Sequence, residues 1–217
     1  MLQGGPGSKV RTSRVSALRQ RCGPKPSAEG FLITTPNSQA YDFEKGGVDY
    51  VNRVSLKPLR IQHETALYTF ECENRPYFER YVPSRGDAYY EPEAFRQALE
   101  RLLAEQVNGD GYYYLICHGE AIVGRLNVHH VNFETGEIGY RIGENYVGRG
   151  YATAALQQLL TLNLPRFTRL IAKTTTDNKA SQHVLMRSGF SREDEIHQIE
   201  WEGRFLSFYT YVYEMDR

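Results

Sequence analysis

Ile138-Gly139-Tyr140-Arg141-Ile142-Gly143-Glu144-Asn145-Tyr146-Val147-Gly148-Arg149-Gly150-Tyr151-Ala152-Thr153 runs from a strand-like alternation through a short loop into a helix. The helix is marked by Ala152, Ala155, Leu156, Leu159 and Leu160 at i, i+3, i+4, i+7 and i+8, and Pro165 is expected to close it. Gly148 and Gly150 stand where four backbone N–H groups lack helical partners and the helix dipole is positive. With no Cβ in the way, the main chain can approach phosphate oxygens, so the pattern predicts a diphosphate held by backbone donors.

Three nucleotide readings compete for this loop. A P-loop needs Gly-Lys-Ser/Thr, and Gly150 is followed by Tyr151. A dinucleotide fold needs a third Gly or Ala where Thr153 stands, and an acid about 20 residues on, where 169–173 has none. What remains is a diphosphate loop fed by antiparallel strands.

Those strands are read at 112–117, 121–131 and 137–142, joined by short Gly-bearing connections that imply hairpins. Upstream, 54–61 carries Pro58 and reads as an edge strand. Residues 65–73 read as a helix with Leu67, Phe70 and Asn74 on one face, closed with the help of Pro76. A second helix starts at Glu91-Pro92-Glu93, buries Phe95, Leu99, Leu102 and Leu103, and ends at Asn108-Gly109. Downstream come a strand at 170–176, a helix at 178–188 capped by Gly189, and a long hairpin at 190–201 and 205–215 turning at Glu202-Gly203. The order is β-α-α-β-β-β-α-β-α-β-β.

At 217 residues the chain suits one domain plus a tail. Residues 1–50 form a basic, Gly-bearing arm and polar lead-in that reads as disordered, and the domain spans 51–217. An Arg-rich presequence or a nucleic-acid arm is the competing reading of the basic stretch. Lys plus Arg and Asp plus Glu each number 26, so no global field draws the chain to nucleic acid or anionic lipid. No apolar run approaches the roughly 18 residues of a membrane span, and no secretory signal is seen; a cytoplasmic location is expected. Cys22, Cys72 and Cys117 are read as reduced thiols, without a disulfide framework or zinc spacing.

The element order, the loop and Asn178-Lys179-Ala180-Ser181-Gln182-His183-Val184-Leu185-Met186-Arg187-Ser188-Gly189-Phe190 together resemble the GNAT superfamily of N-acetyltransferases. The branch they resemble most is the RimJ/RimL type, through Lys57-Pro58-Leu59-Arg60, Asn74-Arg75, Glu137-Ile138-Gly139-Tyr140, Gly148 to Thr153, and Asn178 to Phe190. The resemblance implies an α/β fold whose mixed, mostly antiparallel twisted sheet of about seven strands is flanked by helices. It implies acetyl-CoA as co-substrate, with Tyr140, Arg141, Ile142, Val147, Gly148, Arg149, Gly150, Tyr151, Ala152, Thr153, Asn178 and Ser181 binding it. It implies acetyl transfer to a primary amine, either a ribosomal or other protein N-terminus or a small amine. Two departures stand out: Asn145 replaces a Gln or Arg, and Leu185 falls where many relatives carry an acid-donating tyrosine.

Acyl transfer from a thioester needs a neutral amine and a polarised carbonyl, and the family supplies the second with main-chain N–H groups on a splayed strand, here Tyr140 to Ile142. Glu137 is the candidate base or water-positioning group; the competing reading is a solvated carboxylate paired with Arg125 or Arg141. Ser181 is the candidate donor to the departing sulfur, against a plain helix-surface serine. Asn178 is expected to cap its helix and bond the pantetheine arm. His129 and His130 are adjacent in a strand and should point to opposite faces, so no metal is expected. Tyr89, Tyr90, Tyr112, Tyr114, Tyr209, Tyr211 and Tyr213 either line an acceptor pocket or pack the sheet. A non-catalytic acyl-CoA- or protein-binding GNAT-fold domain is the alternative, and a basic-armed nucleic-acid binder is a third reading. The acceptor's identity is left open, and so is a homodimer.

Overall fold

The computed structural model describes residues 54–162, 164, 167–201 and 203–215. The basic arm and lead-in, Pro165 and Glu202 lie outside the described residues. The chain opens with β1 (Val54–Pro58), the edge strand that its proline requires, paired antiparallel to β2 (Tyr112–His118). Between them lie α1 (Glu64–Phe78) and α2 (Pro92–Asn108). α2 begins with Pro92 in its first turn and ends at Gly109 in the left-handed region, as its terminal residues predict.

α1 corrects the expected boundary. Pro76 lies inside the helix and does not close it. The proline removes one N–H donor, yet the helix runs on because Phe78 is buried and its ring packs 5.9 Å from that of Phe70.

β2, β3 (Ala121–His129) and β4 (Thr135–Ile142) form the expected antiparallel meander. α3 (Tyr151–Thr161) then carries the chain back to β5 (Arg169–Thr175), which pairs parallel to β4. α4 (Lys179–Arg187) leads to the hairpin of β6 (Ser191–Trp201) and β7 (Arg204–Glu214), with β7 against β5. Among the described residues the sheet order is β1-β2-β3-β4-β5-β7-β6.

The sheet divides two apolar layers. On one face Leu126, Val128, Ile138 and Leu170 pack with Leu156 and Leu159 of α3 and Leu185 of α4. On the other, Tyr113 and Leu115 pack with Leu67 and Phe70 of α1 and Phe95 and Leu99 of α2. Alternate residues of β2 thus feed opposite cores, while the apolar residues of β4, Ile138, Tyr140 and Ile142, all face the α3/α4 layer.

Candidate active site

β4 and β5 part company halfway along. Their parallel pairing runs from Thr135↔Arg169 to Ile138↔Ala172. Beyond it β4 stays with β3 as far as Gly124↔Ile142, while β5 stays with β7 as far as Thr175↔Phe208. Residues 139–142 therefore have no strand on their β5 side, and a ligand entering the gap can take the main-chain bonds that a partner strand would have taken.

Gly124 lies on the other side of β4 from this gap. A Cβ there would lie 2.5 Å from the Arg141 carbonyl oxygen, so only glycine lets β3 and the end of β4 approach this closely. Past Ile142, the Gly143 N–H donates to the Val123 carbonyl at 2.9 Å and the Glu144 N–H donates to Asn74 Oδ1 at 2.9 Å. Asn74, read from sequence as a member of one helix face and as part of the Asn74-Arg75 motif of the family resemblance, thus ties α1 to the start of the loop.

The loop continues through a short 3-10 turn (Glu144–Tyr146) and reaches α3 with Val147, Gly148, Arg149 and Gly150 all exposed. Gly148 and Gly150 have φ of +74° and +78°, conformations costing a side-chain-bearing residue roughly 1–2 kcal/mol. No side chain caps α3, whose first turn holds Tyr151, Ala152 and Thr153. Tyr151 is buried under the helix, while Ala152 and Thr153 are half-buried. An uncapped first turn beside two left-handed glycines leaves donors aimed outward, suited to a diphosphate.

Across the gap, Asn178 caps α4: its Oδ1 accepts from the Ser181 N–H at 3.0 Å. The Tyr140 hydroxyl lies 3.0 Å from Ser181 Oγ and donates to the Ser181 carbonyl at 3.2 Å. Burial pushes the Tyr140 phenol up to about 12, so it stays protonated and can serve Ser181 as a donor. Three of the expected cofactor-wall residues are thereby brought together at one mouth. Leu185 is buried in the core under α4.

Glu137 lies elsewhere. Its partner in the closed ladder is Ile171, one pair short of the last, and its side chain is on the α1/α2 face of the sheet. Neither Arg125 nor Arg141 holds it; Lys173 Nζ stands 3.4 Å from Oε1 and His130 Nδ1 3.5 Å from Oε2. Partial burial works upward on its pKa, but Lys173 and then His130 and His129 outweigh this and hold the carboxyl below its usual range. Glu137 and Ser181 thus flank the gap from opposite faces.

The histidines correct the expected alternation. His130 leaves the strand with φ +52°, so its ring turns back toward His129, with the two Nδ1 atoms 3.2 Å apart. Ligand atoms of His129, His130 and Glu137 lie within 4.8 Å of one another, the one such group among the described residues. The argument from opposite faces therefore fails here, because a left-handed residue breaks the period of two.

Sequence reasoning missed the charge cluster behind β4. Glu71 of α1 has no exposed surface and meets Arg125 at 2.7 Å, Arg141 at 3.4 Å and Arg85 at 3.9 Å. Arg141 also lies over the Phe78 ring, 4.9 Å from its centroid, so its side chain is committed to this cluster, and its main chain, in step with that of Gly143, faces β3; the gap is left to the main chain of Tyr140 and Ile142. Among the tyrosines, Tyr112, Tyr114, Tyr209, Tyr211 and Tyr213 pack the sheet, while Tyr89 lines a cavity on the α1/α2 face. Tyr90 sits under Arg75, 4.3 Å from ring centroid to guanidinium.

A parallel strand pair splayed beside a main-chain anion cradle defines a coenzyme A-dependent acyltransferase. Residues 53–191 match the acetyltransferase (GNAT) domain, and the chain belongs to that family and is an N-acetyltransferase. It is 24% identical over 158 residues to the ribosomal-protein-serine acetyltransferase of Escherichia coli (strain K12), covering 68% of this chain and 84% of that one. It is 30% identical over 172 residues to the uncharacterized N-acetyltransferase p20 of Bacillus licheniformis, covering 75% and 93%. The solved structure of RimL, a ribosomal L7/L12 alpha-N-protein acetyltransferase in complex with coenzyme A, superposes with a TM-score of 0.69 at 23% identity, covering 76% of this chain and 95% of that one.

Proposed function

We propose that the chain transfers acetyl from acetyl-CoA to a primary amine, a protein N-terminus or a small amine, by direct attack in the β4/β5 gap. The observation that carries this is the loss of β4–β5 pairing beyond Ile138↔Ala172 at the same end as the uncapped start of α3. The diphosphate rests on Val147 to Thr153, and the pantetheine arm follows the Asn178–Ser181 wall. The thioester lies against residues 140–142, where the Tyr140 and Ile142 N–H groups face the gap and stabilise the oxyanion. The amine nitrogen attacks the carbonyl carbon, its proton leaves through a water to Glu137, and the C–S bond breaks. The departing thiolate accepts a hydrogen bond from the Ser181 hydroxyl, which Tyr140 backs, and takes its proton from water. A thiol of pKa near 8.5 leaves readily, so this donor assists and the absent tyrosine at Leu185 is no obstacle. Among the described residues no helix is long and apolar enough to cross a membrane, and a cytoplasmic location fits ribosomal-type acceptors.

Two measurements test this. Acetyl-CoA is expected to raise the melting temperature, and thiol release over a panel of amines and N-terminal peptides should identify an acceptor; no shift at millimolar acetyl-CoA sinks the reading. Glu137→Gln should lower kcat by between about 100-fold and 10,000-fold with little change in stability. A loss under threefold would make Glu137 a structural carboxylate.

The pH profile follows from the directions above. Glu137 is depressed and hence ionised from about pH 5 upward, so it sets no limb in the working range. The kcat/KM should instead rise with pH and level off near the acceptor's own pKa, about 8 for an α-amine. Tyr140, at about 12, predicts no alkaline fall below pH 10.

A further inference from the structure

Behind β4, on the α1/α2 face of the sheet, guanidiniums outnumber the carboxylate on which they converge. Glu71 is the one carboxylate shared by Arg85, Arg125 and Arg141. Beside them a cavity of about 240 Å³ opens between α2 and β3, lined by Arg85, Tyr89, Arg101, Glu105, Arg125 and Asn127 among others. Arg101 makes no ion pair among the described residues. Glu105 is the opposing charge in the lining, and its Oε2 accepts from the Tyr113 hydroxyl. Asn127 Oδ1 is buried with no hydrogen-bond partner.

The cavity adjoins the reacting centre. Asn127 stands across from Gly139, the first β4 residue beyond the β5 ladder, and Arg125 stands across from Arg141. Neighbouring strands are about 4.8 Å apart, so the cavity lies one strand from the splay. The surface over Gly139 is open: a Cβ there would meet only His129 Nε2, at 3.9 Å. An amine reaching the gap across this face therefore passes Asn127 and the guanidiniums.

Resting on the transferase reading, we infer that this cavity is an acceptor subsite that binds a carboxylate carried by the same molecule as the amine. Arg85 and Arg101 face the anion, and the Asn127 carbonyl oxygen accepts an N–H of the acceptor. Charge-assisted bonds to guanidinium are the strong kind, and a cation near this lining would meet unbalanced positive charge. The subsite selects a protein N-terminus with Asp or Glu close behind it, or a free amino acid, and rejects polyamines and other polycations.

The test uses the full chain with coenzyme A bound and three peptides labelled at their C-termini: Ala-Asp-Glu-Gly, Ala-Asn-Gln-Gly and Ala-Lys-Lys-Gly. Fluorescence anisotropy should show the acidic peptide bound at least about tenfold more tightly than the neutral one, and the basic one weakest. Arg101→Glu, at an exposed position, should abolish that preference with an unchanged melting temperature, and Arg101→Lys should restore part of it. Equal binding of acidic and neutral peptides, tighter binding of the basic one, or a preference that survives Arg101→Glu overturns the inference. Displacement by free glutamate assigns the carboxylate to a small acceptor, and resistance to it assigns it to a peptide side chain; both support the subsite. Thiol release in the same samples separates the two readings. Tight acidic binding without acetylation leaves the subsite standing and removes the transfer chemistry; equal acetylation of acidic and neutral peptides does the reverse.

Discussion

Glu71→Gln is expected to lower the melting temperature by roughly 6–20 °C, the largest stability effect of any single substitution outside the apolar core. The carboxylate has no exposed surface and is the counter-charge of Arg125, which is itself almost fully buried. Removing one partner of such a pair costs about 3–5 kcal/mol, because the remaining charge stays desolvated. For a domain of this size each 1 kcal/mol moves the midpoint by roughly 2–4 °C. The pH dependence has a definite sign. Burial alone raises the Glu71 pKa, but Arg125, then Arg141 and Arg85, outweigh it and the folded-state value is lowered. Its stabilisation is therefore complete above the unfolded value of about 4.3 and is lost as pH falls through the folded value. The gap between wild type and Glu71→Gln in thermal melts by circular dichroism should narrow below pH 4. Replacing Glu71 and Arg125 together by apolar residues of similar volume should recover much of the loss, since the pair's desolvation then disappears. A midpoint change under 2 °C at pH 7 would show that water reaches the cluster.

Gly148→Asp should weaken acetyl-CoA binding by about 1,000-fold, and Gly148→Asn by only about tenfold. Both residues tolerate the left-handed φ of +74° better than other side chains do, so the backbone strain is shared and the charge is the difference. A Cβ at Gly148 meets nothing within 4 Å, so neither side chain disturbs the protein itself. Each instead enters the space assigned to the diphosphate. A carboxylate about 5 Å from one phosphate charge, at an effective dielectric of about 20, is repelled by roughly 3 kcal/mol, which is about 100-fold in affinity. Calorimetric titration with acetyl-CoA measures both variants. Equal losses would mean that the loop acts sterically and holds no anion. Unchanged affinity in both would move the diphosphate away from this loop.

The two substitutions probe parts of the site that differed in legibility. The loop proposed to hold the diphosphate was readable as a loop because it is local: a strand end, two glycines and a helix start lie within 16 contiguous residues, 138–153. Asn178 was readable as a cap for the same reason, since a cap bonds three residues ahead. Pro76 and His130 misled local reasoning. In one case the burial of Phe78 overrode the missing N–H, and in the other a single positive φ reversed a side chain's direction.

The groups that complete the site come from distant segments. Glu71 and Arg125 are 54 residues apart in sequence, Glu71 and Arg141 70 apart, and Tyr140 and Ser181 41 apart. Nothing in the spacing of Glu71 distinguishes it from any acid on an amphipathic helix until α1 is laid on β3 and β4. The alternative partners weighed for Glu137 failed for this reason, because a helix packing on the sheet had already taken both arginines.

The 217 residues by themselves determined the element order, the family likeness and the glycine loop before α3, because period, cap and turn are decided by neighbours a few residues away. Tertiary structure alone decided where β4 leaves β5, which hydroxyl backs Ser181, and which guanidiniums converge on Glu71. Those outcomes depend on which strands pair and which helix covers them, and long-range pairing of that kind leaves no periodic trace in the chain.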